Sequence, residues 1–163
     1  WRQALERVKA MILCDSKLWL DNPDRVKARE QTMRLVEKGK FDQMANLFHG
    51  MLTVPDYLHD VEKSEKLTTM IYQTSSEEYW RQQTAIFNRP DRTETFETID
   101  WPTLILCGEL DLIIPTEVHP EMAGKIPRTY IEIILGAGHL STLEAGDKVG
   151  PLICNWLLGF ADW

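Results

Sequence analysis

An acid and a histidine stand in matching settings at two places in the chain. Cys107-Gly108-Glu109-Leu110-Asp111 continues the apolar run Thr103-Leu104-Ile105-Leu106-Cys107, and Gly136-Ala137-Gly138-His139 continues Thr129-Tyr130-Ile131-Glu132-Ile133-Ile134-Leu135. Each run reads as a strand, so Asp111 and His139 are expected just past two C-terminal strand ends, where open parallel sheets place their ligands. A carboxylate beside an imidazole fixes its tautomer and stabilises the imidazolium, which makes the two a candidate orienting acid and general base. Taken singly, each has a plainer reading that stays open: Asp111 as a turn former or helix cap, His139 as a structural side chain behind Gly-x-Gly.

A histidine base needs something to deprotonate. A serine elbow, Gly-x-Ser-x-Gly, sets its serine on a tight strand-to-helix turn that only small neighbours permit. The serines here are Ser16, Ser64, Ser75, Ser76 and Ser141, and none has a glycine two residues to either side. Ser141 reads as a helix cap paired with Glu144 in a capping box. Cys107 lies inside an apolar strand without a nearby cation to lower its pKa, so it is a poor substitute.

The elements that must position these residues fall into three stretches. Val8 to Cys14 is a short, nearly continuous apolar run that suits a strand buried on both faces, and Trp1 to Glu6 before it reads as the tail of a helix. Asp21 to Phe96 is helical almost throughout. Asn22-Pro23-Asp24 starts a helix that stops at Gly39, a second follows from Phe41, Pro55-Asp56 opens a third carrying Tyr57, Leu58, Val61, Leu67, Met70 and Ile71, and Ser75 to Glu78 is a capping box for a fourth. The chain then returns to alternation: a strand over Thr103–Cys107, a helix from Pro115 to Lys125, a strand over Thr129–Leu135, and a last helix to about Leu158 that restarts at Gly150-Pro151. Strand, helical excursion, then strand-helix-strand-helix is an α/β pattern.

Composition narrows the partners. The 163 residues suit one domain or a large piece of a bigger one, and a net charge of −7 without a Lys/Arg cluster argues against a nucleic-acid surface. No apolar run approaches the ~20 residues of a membrane span, and no signal peptide is visible. Cys14, Cys107 and Cys154 are odd in number, far apart and in apolar surroundings, which predicts buried free thiols, a reducing compartment and a cytoplasmic protein. His49, His59, His119 and His139 form no HExxH pair and no Cys/His cluster, so no metal is expected. The chain begins at Trp1 rather than at methionine, which predicts a processed product or a fragment.

"IDWPTLILCGELDLIIP" (99–115) followed by "EMAGKIPRTYIEIILGAGHLSTLE" (121–144) closely resembles the C-terminal third of the α/β-hydrolase fold, with its seventh and eighth strands, acid loop and catalytic-histidine loop. "RVKAMILCDS" (7–16) resembles the sixth strand, and "YWRQQTAIFNRPDRTETFETI" (79–99) the end of the helical cap that leads into the seventh. The resemblance implies a partial α/β-hydrolase core over 1–20 and 97–163, with an all-helical cap or lid over 21–96. It implies that Asp111 is the triad acid and His139 the general base of a serine hydrolase acting on an ester or related acyl bond, without a cofactor. Asp15, at the first strand's end, is the weaker candidate for the acid.

The resemblance also implies a lid over a small, apolar acyl substrate. Leu110, Leu112 and Ile113 flank the acid, and Trp80 and Phe48, with Trp19, Met44, Met51, Tyr79 and Phe87, are candidate pocket residues, although such positions on helices are more often plain core. Arg89 and Asp91 read as holding the cap's exit turn. The family's first five strands, oxyanion loop and nucleophile elbow have no counterpart in these residues. That expectation leaves Val8 to Cys14 as an apolar edge, open to the missing half or to a second copy in a symmetric dimer. The competing expectation is a non-catalytic, self-associating or partner-binding fragment; a nucleotide-binding domain fares worse, because no Gly-rich phosphate loop follows the first strand.

Overall fold

A computed structural model describes residues 3–159 of the chain. Trp1 and Arg2, part of the expected leading helical tail, lie outside the described residues; the tail itself appears as one 3-10 turn over Leu5–Arg7. Three strands, β1 (Met11–Cys14), β2 (Thr103–Gly108) and β3 (Thr129–Ile134), form a parallel sheet in the order β1-β2-β3. Leu13 lies opposite Ile105, and Ile105 opposite Ile131. β2 is buried at every position, as its unbroken apolar run requires of a central parallel strand. β1 departs from expectation: it is shorter than Val8 to Cys14 and only half-buried, because among the described residues β2 is its single strand neighbour.

The chain divides into two compact units. One is helical and comprises Trp19–Met51 and Pro55–Arg92. Its first helix, α1 (Pro23–Glu37), is capped by Asn22, whose side chain accepts from Arg25 N at 2.9 Å, and Pro23 sits where its missing N–H costs nothing. Gly39, at φ +69°, turns the chain into α2 (Phe41–Leu52). The expected single third helix is two, α3 (Pro55–His59) and α4 (Val61–Tyr72). Asp60 ends one and caps the other, its carboxylate accepting from Lys63 N at 3.2 Å. In α5 (Ser76–Phe87) the Ser75 hydroxyl accepts from Glu78 N at 3.1 Å, while the Glu78 carboxylate turns to Arg81 at 2.7 Å, so only half of the capping box forms. Met33, Val36, Met44 and Tyr79 make this unit's core, with Leu35, Phe41 and Phe48 packed against them. Arg89 donates to Trp19 O at 2.6 Å and so joins the unit's last turn to its first residue.

The other unit holds the sheet: the chain up to Leu18, Leu52–Val54, and the chain from Thr93. Its helices are α6 (Thr93–Phe96), α7 (Val118–Ala123), α8 (Ser141–Glu144) and α9 (Gly146–Leu158). Leu104, Leu106, Ile134, Ala137, Ala145 and Val149 form the core, and Ile12, Cys14, Leu152, Ile153 and Trp156 close over it. α7 is shorter than Pro115 to Lys125. α9 runs unbroken from Gly146 rather than restarting at Gly150-Pro151; Pro151 lies within two turns of its start and forfeits only one backbone bond there. The thiols also correct the sequence reading. All three are free, but only Cys107 is buried; Cys14 is half-buried and Cys154 is exposed on α9.

Candidate active site

The turn after β2 and the loop after β3 are laced together before any side chain meets. Glu109 N donates to Ile134 O at 3.1 Å and Leu110 N to Ala137 O at 2.9 Å. The Glu109 carboxylate accepts from Gly136 N at 2.9 Å, where Gly136 holds a φ of +75°. Gly108 is required by contact: a Cβ there would lie 2.0 Å from Gly138 O and 2.5 Å from Ala137 O, closer than atoms can approach.

On this frame Asp111 and His139 meet. One Asp111 oxygen, Oδ1, accepts from Ile113 N at 2.7 Å and Ile114 N at 2.9 Å, so the acid closes its own turn. The other, Oδ2, lies 2.8 Å from His139 Nδ1. A carboxylate can only accept, so the proton of the neutral imidazole sits on Nδ1 and leaves a lone pair on Nε2. Among the described residues no protein group bonds that nitrogen. The Asp111 side chain is fully buried and that of His139 is 19% exposed, so the carboxylate is sealed while the imidazole remains reachable. Asp111 therefore closes its own turn with one oxygen and meets the imidazole with the other.

Two further carboxylates hold the histidine loop. Glu144 accepts from Gly138 N at 2.9 Å with one oxygen and from Val54 N at 2.8 Å with the other, and Leu140 N donates to Leu52 O at 3.0 Å. Asp15 accepts from Gly108 N at 3.1 Å through Oδ1, and from Ser141 N at 3.2 Å and Ser141 Oγ at 2.7 Å through Oδ2. This overturns the capping box over Ser141 and Glu144. The cap position before α8 is held by Leu140, with no side-chain cap bond; Ser141, fully buried, spends its hydroxyl on Asp15. The spacing was a true capping pattern, but tertiary partners outcompeted the local ones. Burial raises the Asp15 carboxyl above its ordinary value, against the pull of Ser141, Gly108 and the His139 charge. Burial, reinforced by the charges of Asp15 and Asp111, pushes the Cys107 thiol up to about 11, which removes it as a nucleophile.

The other candidates are more scattered. Leu110 and Leu112 flank Asp111 and are 51% and 64% exposed. Phe48 is taken up by the core of the helical unit, its ring edge-on to Tyr79 at 6.1 Å. Met44 and Tyr79 are buried there as well. Trp80 is 42% exposed and lines an open groove of about 500 Å³ with Met33, Arg34, Thr84 and Phe87. No group of three or more His, Cys, Asp or Glu side chains among the described residues is placed to hold a metal ion. Among the described residues no helix is long and apolar enough to cross a membrane.

Known proteins show the same arrangement of chain. A thermophilic esterase from Thermogutta terrifontis is 28% identical, with a TM-score of 0.86 over 97% of this chain and 58% of its own. The enol-lactonase from Burkholderia xenovorans LB400 is 19% identical and shares the fold, with a TM-score of 0.83 over 94% of this chain and 57% of its own. In sequence, a proline iminopeptidase from Lactobacillus delbrueckii subsp. lactis is 27% identical over 173 residues, 93% of this chain and 57% of that protein. The chain thus spans a little over half the length of these relatives. The family model described as alpha/beta hydrolase fold matches residues 3–145, from ahead of β1 through the histidine loop, and the chain belongs to that family.

Proposed function

We propose that this chain is the C-terminal portion of a serine hydrolase that cleaves an ester or related acyl bond, and that it supplies the acid and the general base. The single observation that carries the proposal is the Asp111–His139 contact at 2.8 Å with Nε2 left unbonded. Similarity to an esterase over nearly the whole chain supports the bond type. The serine would come from residues outside these 163, since no Gly-x-Ser-x-Gly occurs among them.

In this mechanism Nε2 takes the proton from the serine hydroxyl as Oγ attacks the acyl carbon. The Nδ1–H stays on the imidazole, and the Asp111 carboxylate stabilises the positive ring. Nε2–H then protonates the departing alkoxide, and water, deprotonated by the same nitrogen, releases the acid product. Backbone N–H groups outside these residues would stabilise the oxyanion. The substrate would be a small apolar acyl compound, with the helical unit as lid, and no cofactor enters any step.

The test is a fluorophosphonate probe applied to the natively purified protein with any chain that travels with it, read by intact mass under native and denaturing conditions. The expected adduct lies on an elbow serine outside these 163 residues. Asp111→Asn or His139→Ala should cut the labelling rate by about 1,000-fold or more. An adduct on Ser16, Ser64, Ser75, Ser76 or Ser141 would overturn the proposal, as would a folded assembly that takes no adduct. A second reading, a self-associating module without catalysis, is favoured by β1, whose outer edge pairs with no strand among the described residues. A native mass of two copies and no adduct would select it.

A further inference from the structure

Asp15 has no part in that mechanism, yet its backbone geometry is out of the ordinary. It follows β1 at a φ of +44°, and among the described residues it is the one non-glycine in the left-handed region. A residue with a Cβ persists there only where its surroundings over-determine it, and such outliers gather at functional sites. The surroundings are the ends of all three strands. Asp15 N donates to Leu106 O at 2.9 Å in β2. Oδ1 takes Gly108 N, three residues before Asp111, and Oδ2 takes both donors of Ser141, two residues after His139.

We propose that Asp15 is a positioning residue for His139, locking the three strand ends, through Gly108 and Ser141, in the register at which Asp111 and His139 meet. This rests on the reading of His139 as the base. Asp15 is not the orienting acid itself, because its hydrogen bonds go to Leu106, Gly108 and Ser141 and none reaches the imidazole. Its charge nonetheless acts on the site. The ionisable groups that face it are Cys14 at the end of β1, Cys107 of β2 and His139 from the loop after β3. A second carboxylate, held close by neutral donors, therefore helps stabilise the imidazolium that forms during the reaction.

Asp15→Asn and Ser141→Ala separate the contributions. Asparagine tolerates the left-handed backbone as readily as aspartate, so the first variant keeps the turn. It removes the charge and cannot accept both Ser141 donors at the Oδ2 position while keeping Gly108. Ser141→Ala keeps the charge and deletes one bond. Two readouts are needed on the assembled protein that contains the nucleophile: steady-state hydrolysis of a p-nitrophenyl ester across pH, and NMR titration of the ¹⁵N-labelled His139 ring without substrate.

For Asp15→Asn, kcat should fall about 10- to 100-fold with KM within about 2-fold, the pattern of misplaced catalytic geometry. His139 should lose its proton at a lower pH, and the acid limb of the rate profile should move down with it. Ser141→Ala should lower kcat about 3- to 10-fold and leave the titration nearly in place. Wild-type kcat and titration in Asp15→Asn overturn the proposal, and so does a loss of activity that only tracks the folded fraction. If Asp15→Asn does not fold, Ser141→Ala decides: unchanged kcat overturns the proposal. An inert wild-type protein would defeat the hydrolase reading instead. The His139 titration would then still judge Asp15, an unmoved curve counting against it.

Discussion

Asp111 divides its labour between its oxygens. One closes the turn that carries it and the other meets the histidine, so the carboxylate is held from both sides. Gly108 matters for a different reason, since the backbone of the histidine loop occupies the space a side chain would need. Gly108→Ala is expected to destabilise the chain by about 3 kcal/mol or more. It should also separate Asp111 from His139, read as a lowered urea midpoint and loss of the downfield Nδ1 proton signal. An unaltered midpoint would mean that the two loops leave room for a Cβ at position 108. The cysteines give a second check at this scale. Cys107 is buried and its thiol is raised to about 11, whereas Cys154 is exposed. Near pH 8 an alkylating reagent should modify Cys154 quickly and Cys107 only after unfolding. Prompt native alkylation of Cys107 would contradict the buried β2.

Helix starts were the most legible elements, because capping is decided by residues within four positions of each other. Asn22 and Ser75 cap as their sequence contexts imply. Replacing either by alanine should cost about 1 kcal/mol, measured as a shift of the denaturant midpoint at unchanged slope. A change below a few tenths would show that the helices are held by packing alone. The same local logic failed at Asp60, where an acid inside an apolar helical pattern proved to be a cap, and at Ser141 and Glu144. In α8 the two residues sit at capping-box spacing, but Asp15 and Val54 are 126 and 90 residues away in sequence. Glu144→Gln should test that element. It keeps one acceptor for Gly138 N or Val54 N but not both, and is expected to lower kcat of the assembled protein by about 10-fold while sparing the α9 helix in circular dichroism.

Across the molecule, one buried carboxylate links the site to stability. Burial lifts the Asp15 carboxyl above its ordinary 3.8, so the folded chain holds that proton more tightly than the unfolded chain does. A folded value above the unfolded one contributes stability that is fully present below 3.8 and lost as pH rises through the raised folded value. Ionised Asp15 is therefore a standing cost near neutrality, accepted for the bonds it makes. Comparing denaturant midpoints of wild type and Asp15→Asn as pH rises from 3.8 should show the variant gaining on the wild type. A constant gap would mean that the Ser141 and Gly108 bonds cancel the effect of burial. The net charge of −7 adds a background repulsion common to both chains, which the comparison removes.

By itself the sequence determined what local chemistry controls: the apolar runs that become parallel strands, the caps at Asn22 and Ser75, and the placing of an acid and a histidine after two strands. The resemblance of the chain to the α/β-hydrolase fold belonged to that same reading, and the family match over residues 3–145 bears out the family. Tertiary structure alone decided which partners the polar groups took. Nothing within a few residues of Ser141 reveals that Asp15 will claim its hydroxyl, or that Glu144 will reach Val54. Nor does sequence show that β1 ends half-buried or that Asp15 adopts a left-handed backbone. Such bonds join segments whose proximity is set by strand register and core packing, and a buried polar group takes the partner that the fold delivers to it.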